Sequence, residues 1–393
     1  MLAFTQYTPT EIVFGPKAEN QIAALVKKYG GSKVIVVYGE GSVVKSGLLD
    51  LVTKQLDDAG IDYIKHGGAT PNPHLSFAKV GIKAAIDFGV DFILAVGGGS
   101  AIDAGKAIAH GTKNPETDIW KFWLKEEVVT KSLPVGVVLT ISAAGSETSN
   151  SAVLTNTDTG EKRGINTDFN RPCFAIMNPE FTFTLPKFQI ACGIADIMMH
   201  TMDRYFAQED SNEMTDEIAE GLLRVTIKNG RTALENPKDY NAMSEIMWAG
   251  SLSHNGITGL GRTHDFSAHQ FGHELSGRFD VAHGASLTTM WASIAEYCCK
   301  YSLDRFKRYA CEVWGVSSDL PDEEAAQMGI DRTVEYFKSI GMPTCFTELG
   351  IGVQSDEVVQ ALAYDCVFKG TRLIGAFNLD QKAVYEIYKA ANR

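Results

Sequence analysis

Over its first 185 or so residues this chain alternates short β-rich runs with stretches of helical spacing, an alternation that points to a parallel sheet covered by helices. KVIVVYG at 33–39 reads as a buried strand, and SGLLDLVTKQLDDAG as the helix that follows it. IDYIKHGG, DFILAVGGG, LPVGVVLTI and CFAIMNPE read as four further strands, with helices in TPNPHLSFAKVGIKAAIDFG and SAIDAGKAIAHG. After TLPKFQIACG the strand signals fade and apolar positions recur at helical spacing, as in EMTDEIAEGLLRVTIKNGRTAL and DRTVEYFKSI. The boundary is expected at Leu185–Pro186, because a proline biases the residue before it away from helix. The sequence therefore predicts an α/β domain over residues 1–185 and an all-α domain over 186–393.

A chain of 393 residues is long enough for both parts to bury their own cores. Acidic residues outnumber basic ones 48 to 36, for a formal charge of −12, and no Lys/Arg cluster is present. That balance argues against a nucleic-acid partner. MLAFTQYTPTEIVFG has no basic segment leading into an apolar run, and LPVGVVLTI is far shorter than a bilayer span, so neither a secretory signal nor a membrane segment is expected. Seven cysteines with no CxxC read as buried reduced thiols in a cytoplasmic protein.

Two local patterns carry chemistry. Gly97-Gly98-Gly99-Ser100 stands where a buried strand turns into a helix, so backbone N–H groups unobstructed by side chains can approach a pyrophosphate at the positive end of the helix. Ser100 can add a hydroxyl, and Asp103 and Lys106, one turn apart, could pair. The run matches neither G-x-G-x-x-G nor G-x-x-x-x-G-K-[ST]. A glycine triplet alone would also suit a tight structural turn, but its place at the carboxyl end of a central strand is where open α/β sheets bind ligands.

The second pattern lies in the helical part. Asp196 and His200 in GIADIMMHTMDRYF are four apart and project from one helix face. His269 and His273 repeat that spacing in SAHQFGHELSGRFDVAHG, a helix expected to end at Gly277, after which RFDVA returns the chain so that His283 faces the same place. One carboxylate and three imidazoles suit Fe2+, Zn2+, Co2+ or Mn2+ and leave a coordination position for substrate. Met198 and Met199 read as core filling, and His66, His74, His110, His254 and His264 as core or surface histidines.

With these motifs in hand, the chain resembles the iron-containing, or group III, alcohol dehydrogenases, in the branch of butanol dehydrogenases and NADPH-dependent aldehyde reductases. The likeness runs almost end to end: EIVFG, VVYGEGSVVKSG, TPNP, VGGGSAIDAGKAIA, AGSE at 144–147, GIADIMMHTMDRY and GHELSGRFDVAHG. It implies a Rossmann-like amino-terminal dinucleotide-binding domain and an all-helical metal-binding and substrate domain. It places one divalent metal, Fe2+ or Zn2+, on Asp196, His200, His269 and His283. The cofactor's pyrophosphate falls at Gly97, Gly98, Gly99 and Ser100, near Asp103. Gly39, Ser42, Asn72, Lys162 and Thr182 match further cofactor positions, and His273 matches a histidine beside the nicotinamide with a proton-relay or positioning role. Relatives read T-G-S-E where this chain has Ala144-Gly145-Ser146-Glu147, so Thr140 or Ser142 is expected to supply the missing hydroxyl. In Tyr38-Gly39-Glu40-Gly41-Ser42, Gly39 leaves room for a 2′-phosphate while Glu40 could repel it; NADP(H) is favoured over NAD(H).

The resemblance implies hydride transfer between NAD(P)H and a small primary alcohol or aldehyde of the butanol/butanal type, and a homodimer formed through the amino-terminal strand region. A glycerol dehydrogenase-like polyol oxidoreductase, a dehydroquinate synthase-like lyase and a non-catalytic nucleotide- or metal-binding protein are the alternatives. The lyase would need Lys and Arg side chains clustered for a substrate phosphate, and only Arg262 and Arg278 stand near the ligand segment. Trp120, Trp123, Asn150 and Phe266 are candidates to line the substrate site, though core packing or surface anchoring suits each better.

Overall fold

The computed structural model describes residues 1–39, 41–207 and 212–393. The chain divides into two compact units, Tyr7–Leu185 and Pro186–Arg393, and the second includes Met1–Gln6. Those first six residues were expected with the α/β part. A backbone bond from Leu2 N–H to the Gly261 carbonyl, at 2.8 Å, ties them to the helical unit instead.

In the first unit, strands β1 (Glu11–Phe14), β2 (Lys33–Gly39), β3 (Asp62–Ala69), β4 (Phe92–Gly97) and β5 (Val135–Leu139) are followed by β6 (Ser151–Asn156), β7 (Glu161–Asn166) and β8 (Phe174–Met177). Six of them form an all-parallel sheet in the order β1-β8-β5-β4-β2-β3, and β6 pairs with β7 as an antiparallel hairpin. Every residue of β4 and β5 is buried, as expected of central strands covered on both faces. Strand order reverses between β2 and β4: β3 lies outward on one side, and β5, β8 and β1 on the other. Open parallel sheets bind ligands in the crevice beyond the carboxyl ends of the strands flanking such a reversal. Gly39 and Gly97 end those two strands.

Three strands went unread in the sequence. β1 is a four-residue edge strand with no fully buried side chain, and β6 and β7 are mostly polar and turn through Gly160, at φ 69°. Short edge and hairpin strands lack the continuous apolar run that marks the central ones.

The second unit is helical, with no strand among its described residues. Its central element, Lys187–Tyr205, starts directly after Pro186, and every residue from Ile194 to Tyr205 is buried. A helix apolar or buried all round belongs inside a bundle, and Ser267–Phe279 and His283–Cys299 pack against it. No described helix is long and apolar enough to cross a membrane.

Candidate functional site

The glycine turn is built from backbone. Gly97 closes β4, Gly98 precedes the helix Gly99–Lys113, and Gly99 and Ser100 form its first turn. A Cβ on Gly98 would stand 2.1 Å from Ile141 Cγ2, and one on Gly99 would be 3.3 Å from Ala144 Cβ. Only glycine therefore lets segment 140–146 lie against the turn, where Thr140 N–H also bonds the Gly97 carbonyl at 3.1 Å. Ser142 Oγ is buried without a hydrogen-bond partner, an unused hydroxyl beside Ile141.

Asp103 and Lys106 do more than pair with each other. They stand 3.8 Å apart, and both reach the segment 146–153. Asp103 accepts from Ser146 Oγ at 2.5 Å and from Val153 N–H at 2.9 Å. The fully buried Lys106 ammonium donates to Ser146 O and Oγ, both at 2.8 Å, and to Ser151 O at 2.7 Å. Burial pulls the Lys106 pKa down to about 8, against the raising effect of Asp103 and Glu147. Burial likewise raises Asp103, with Lys106 opposing. The pair thus fastens the segment after β5 to the glycine-turn helix.

The remaining nucleotide candidates occupy this unit too. Ser42 opens the short helix Ser42–Lys45, beyond Gly39; Glu40 lies outside the described residues. Asn72, at φ 55°, accepts from Lys162 Nζ at 2.9 Å. Thr182 is fully buried and donates its hydroxyl to Pro179 O at 2.6 Å. Trp123 is a core residue, its indole N–H bonded to Ala152 O at 3.2 Å, and Trp120 is buried beside it in the same short helix.

In the helical unit, Asp196, His200 and His269 bring one ligand-type atom each to a common point, all within 4.8 Å of one another. His200 Nδ1 is 3.1 Å, and His269 Nε2 3.5 Å, from Asp196 Oδ1. All three atoms are buried and none makes a directed hydrogen bond. His283 stands at the rim, half-buried, its Nε2 3.9 Å from Asp196 Oδ1 and its ring 5.5 Å from that of His269. Leaving three buried polar atoms unpaired is costly, on the order of 1–3 kcal/mol for each. One anionic oxygen and converging imidazole nitrogens suit a divalent cation, which would satisfy them together. The donor set fits a metal.

Local folding explains the convergence. Asp196 and His200 share a face of Lys187–Tyr205. The helix bearing His269 runs past Gly277, where the sequence suggested a stop, to Phe279; Asp280, at φ 50°, ends it. An aspartate tolerates that left-handed conformation, so no glycine was needed at the stop. The next helix starts at His283 and comes close because residue 284 is glycine: a Cβ there would be 2.4 Å from the Cys192 carbonyl oxygen and 2.7 Å from its Cα.

Electrostatics follow the same geometry. Burial alone would raise Asp196, yet His200, His269 and His283 outweigh it and hold the carboxyl well below its ordinary range. Burial pushes His200 down to about 4, so its ring is neutral near pH 7. Burial also pulls on His269, but the nearby Asp196 and Asp203 carboxylates prevail and raise it to about 9. A proton on His269 or a cation at the cluster meets the same demand for positive charge between two carboxylates.

Asp203 and His254 joined this site without being read as part of it. Asp203 Oδ2 accepts from His269 Nδ1 at 2.5 Å, and the His254 ring stacks on His200 with centroids 3.9 Å apart. The signal for Asp203 was a carboxylate three residues after His200, on the same helix face; a lone histidine such as His254 gave none. His273 lies beside the cluster, its ring 5.5 Å from His283 and 6.5 Å from His269. Phe266 precedes the His269 helix at φ 53°, a strained conformation for an aromatic residue, with the Arg204 guanidinium 4.6 Å from its ring centre. Arg204 is fixed in turn by the carbonyls of His200 at 2.7 Å and Ser253 at 3.2 Å.

A parallel-sheet unit with a glycine turn at its reversal point, followed by a helical unit with a His/Asp cluster, defines a class. Residues 9–179 match the family model for iron-containing alcohol dehydrogenase, and residues 190–392 match that for the Fe-containing alcohol dehydrogenase family, C-terminal. The chain belongs to the iron-containing alcohol dehydrogenase family. Within it, the chain falls in the butanol dehydrogenase and aldehyde reductase branch. It is 38% identical over 391 residues to NADH-dependent butanol dehydrogenase A of Clostridium acetobutylicum, covering 99% of both chains. It is 34% identical over 351 residues to the NADPH-dependent aldehyde reductase YqhD of Escherichia coli, covering 88% of this chain and 89% of that one. The crystal structure of NADH-dependent butanol dehydrogenase A from Thermotoga maritima superposes with a TM-score of 0.95 at 32% identity, over 100% of this chain and 99% of the other.

Proposed function

We propose that this chain interconverts a small primary alcohol and its aldehyde, of the butanol/butanal type, using NAD(P)(H) and one divalent metal, Fe2+ or Zn2+, held by Asp196, His200, His269 and His283. One observation carries the reading: three buried, mutually close ligand-type atoms without hydrogen-bond partners, in a chain of the iron-containing family. The relatives' names favour it over the polyol, lyase and non-catalytic alternatives. A bound cation supplies Lewis acidity toward a carbonyl or alcohol oxygen, and the nicotinamide supplies or accepts the hydride.

The chain's residues do the rest. Neutral His200 keeps a lone pair available near pH 7, and Asp196 contributes the negative charge. Burial of the ligand atoms excludes water, which strengthens their electrostatic grip. His273, beside His269 and His283, is placed to position the substrate or relay a proton. In the first unit, Gly97, Gly98, Gly99 and Ser100 offer backbone N–H groups to a pyrophosphate. Gly39, Ser42, Asn72, Asp103, Thr140, Ser142, Lys162 and Thr182 complete the nucleotide's surroundings, Asp103 by fastening the 146–153 segment.

Gly39 supports NADP(H), since it puts no side chain in the way of a 2′-phosphate. NAD(H) is the second reading, favoured by the NADH-dependent butanol dehydrogenases among the relatives. A homodimer formed through the amino-terminal strand region completes the proposal, and sedimentation of the purified protein checks it. Initial rates with butanal and each reduced dinucleotide, after loading with Fe2+ or Zn2+, test the activity. A fully metallated protein inert toward a broad panel of aldehydes would overturn it.

A further inference from the structure

We propose that Asp203 is a positioning residue of the metal site: it accepts the Nδ1 proton of His269 and so fixes the tautomer and ring orientation that leave Nε2 available to a cation. The proposal rests on the metal reading above. Asp203 lies seven residues after Asp196 and three after His200, so one face of one helix carries two ligands and the group that aims a third.

The contacts hold Asp203 and the start of the His269 helix together at several points. Asp203 Oδ2 is 2.5 Å from His269 Nδ1 and 3.3 Å from the His269 backbone nitrogen. The Asp203 carbonyl accepts from Asp265 N–H at 2.8 Å and from Phe266 N–H at 3.4 Å. Both side chains are buried, so water cannot replace the carboxylate. An ionised carboxylate only accepts, which puts the proton on Nδ1. In the neutral ring Nε2 then keeps its lone pair, and Nε2 is the buried atom of His269 without a hydrogen-bond partner. Without Asp203 the opposite tautomer becomes accessible, in which Nε2 carries a proton and cannot bind a cation. The ring also loses its orientation. Carboxylates behind metal-binding histidines act in this way, and removing them typically costs about 10–100-fold in metal affinity or activity.

The rival account makes Asp203 a mere fastener between helices, and the test must separate the two. Full-length wild type, Asp203→Asn, Asp203→Ala and His200→Ala are stripped of metal and titrated with Co2+ against a competing chelator. Visible d–d absorption reports the ligand field, and metal-free thermal unfolding reports packing. We expect one Co2+ per chain in wild type and a graded loss of affinity, about 10-fold or more in Asp203→Asn, which retains an acceptor without the charge, and larger in Asp203→Ala. The d–d bands should shift in both. Asp203→Asn is isosteric and decides the matter if Asp203→Ala does not fold. Lowered thermal stability with Co2+ affinity and bands unchanged would overturn the proposal and leave the metal reading standing. A wild type that takes up no Co2+, or His200→Ala that binds it equally well, would overturn the metal reading and this proposal with it.

Discussion

The glycine turn of the first unit and the metal cluster of the second solve opposite problems. Around the turn, the buried charged side chains are satisfied: Asp103 has two donors and Lys106 three acceptors. What the turn offers a ligand is backbone, exposed by missing Cβ atoms. In the cluster the backbone is helical and the side chains carry the chemistry, with three buried ligand-type atoms left unpaired. Unpaired buried polar groups destabilise a fold, so their persistence suits a site whose stabilisation comes from a ligand. The difference teaches where damage should appear: function first in the cluster, stability first in the framework around the turn.

The largest expected effect tests that contrast directly. Asp196→Ala should lower kcat/KM for butanal by about 10³-fold or more, since loss of Lewis-acid assistance is worth several kcal/mol and each ~1.4 kcal/mol is tenfold in rate. Metal-free stability should change little, because the burial cost of the carboxylate and its attraction to the three histidines are lost together. Calorimetry of the stripped protein checks the second half. A drop of several kcal/mol there would break the comparison. Stripping metal from wild type should itself lower the unfolding temperature, by about 2.7 kcal/mol of stability for a ligand present at 100 times its Kd.

Lys106→Met turns to the other side. It leaves Ser146 O, Ser146 Oγ and Ser151 O without their donor and Asp103 without its neighbouring cation. Breaking a buried charged network by removing one member costs about 3–5 kcal/mol. Urea unfolding should show a loss of that order, while Co2+ binding by the folded fraction stays unchanged. Loss of Co2+ affinity without loss of stability would contradict the division of labour.

These two regions were legible to different degrees, for a physical reason. Sequence spacing encodes geometry within an element, so the four-residue steps of Asp196–His200 and His269–His273 and the strand–turn–helix around Gly97 could be read directly. The Asp103–Lys106 spacing suggested a local pair, but the structure sends both side chains to Ser146, Ser151 and Val153, forty or more residues away. No local periodicity carries such a contact. Asp203 was legible in principle, on the Asp196–His200 face, but its partner His269 lies 66 residues further on. The closeness of His283 depends on Gly284 meeting Cys192 backbone, a fit of two helices that only packing reveals.

Gly284→Ala and Gly98→Ala sharpen the contrast with one methyl each. Overpacking costs about 1–3 kcal/mol. At Gly284 the obstacle is Cys192 backbone, which cannot rotate away, so the His283 helix must move off the ligand helix and Co2+ affinity should fall. At Gly98 the obstacle is the branched Cγ2 of Ile141, so the 140–146 segment must yield and the KM for the dinucleotide should rise with Co2+ affinity intact. Equal effects of both variants on both ligands would show that the two regions are not separable in this way.

The smallest effect concerns His110, within the satisfied framework. Its Nε2 lies 2.7 Å from Asn170 Oδ1 and its Nδ1 2.9 Å from Ser132 Oγ. Asn170 donates its amide to Asn150 O and Ile165 O, which leaves Oδ1 as an acceptor and puts the histidine proton on Nε2. Burial pulls the His110 pKa to about 4, with the Asn170 bond partly opposing. Because the unfolded chain takes the proton more readily, this contribution is complete above the ordinary histidine value and fades as pH falls toward 4. Between pH 7 and 5.5 the loss should be roughly 1 kcal/mol, from an unfolded value near 6.5. His110→Gln, which can still donate to Asn170 but does not titrate, should lose less over the same interval. Urea midpoints at the two pH values measure the difference, and equal losses in both proteins would remove His110 from the account. A shift of Co2+ affinity in His110→Gln at fixed pH would go further, because it would mean that the framework around the turn and the cluster do not act independently.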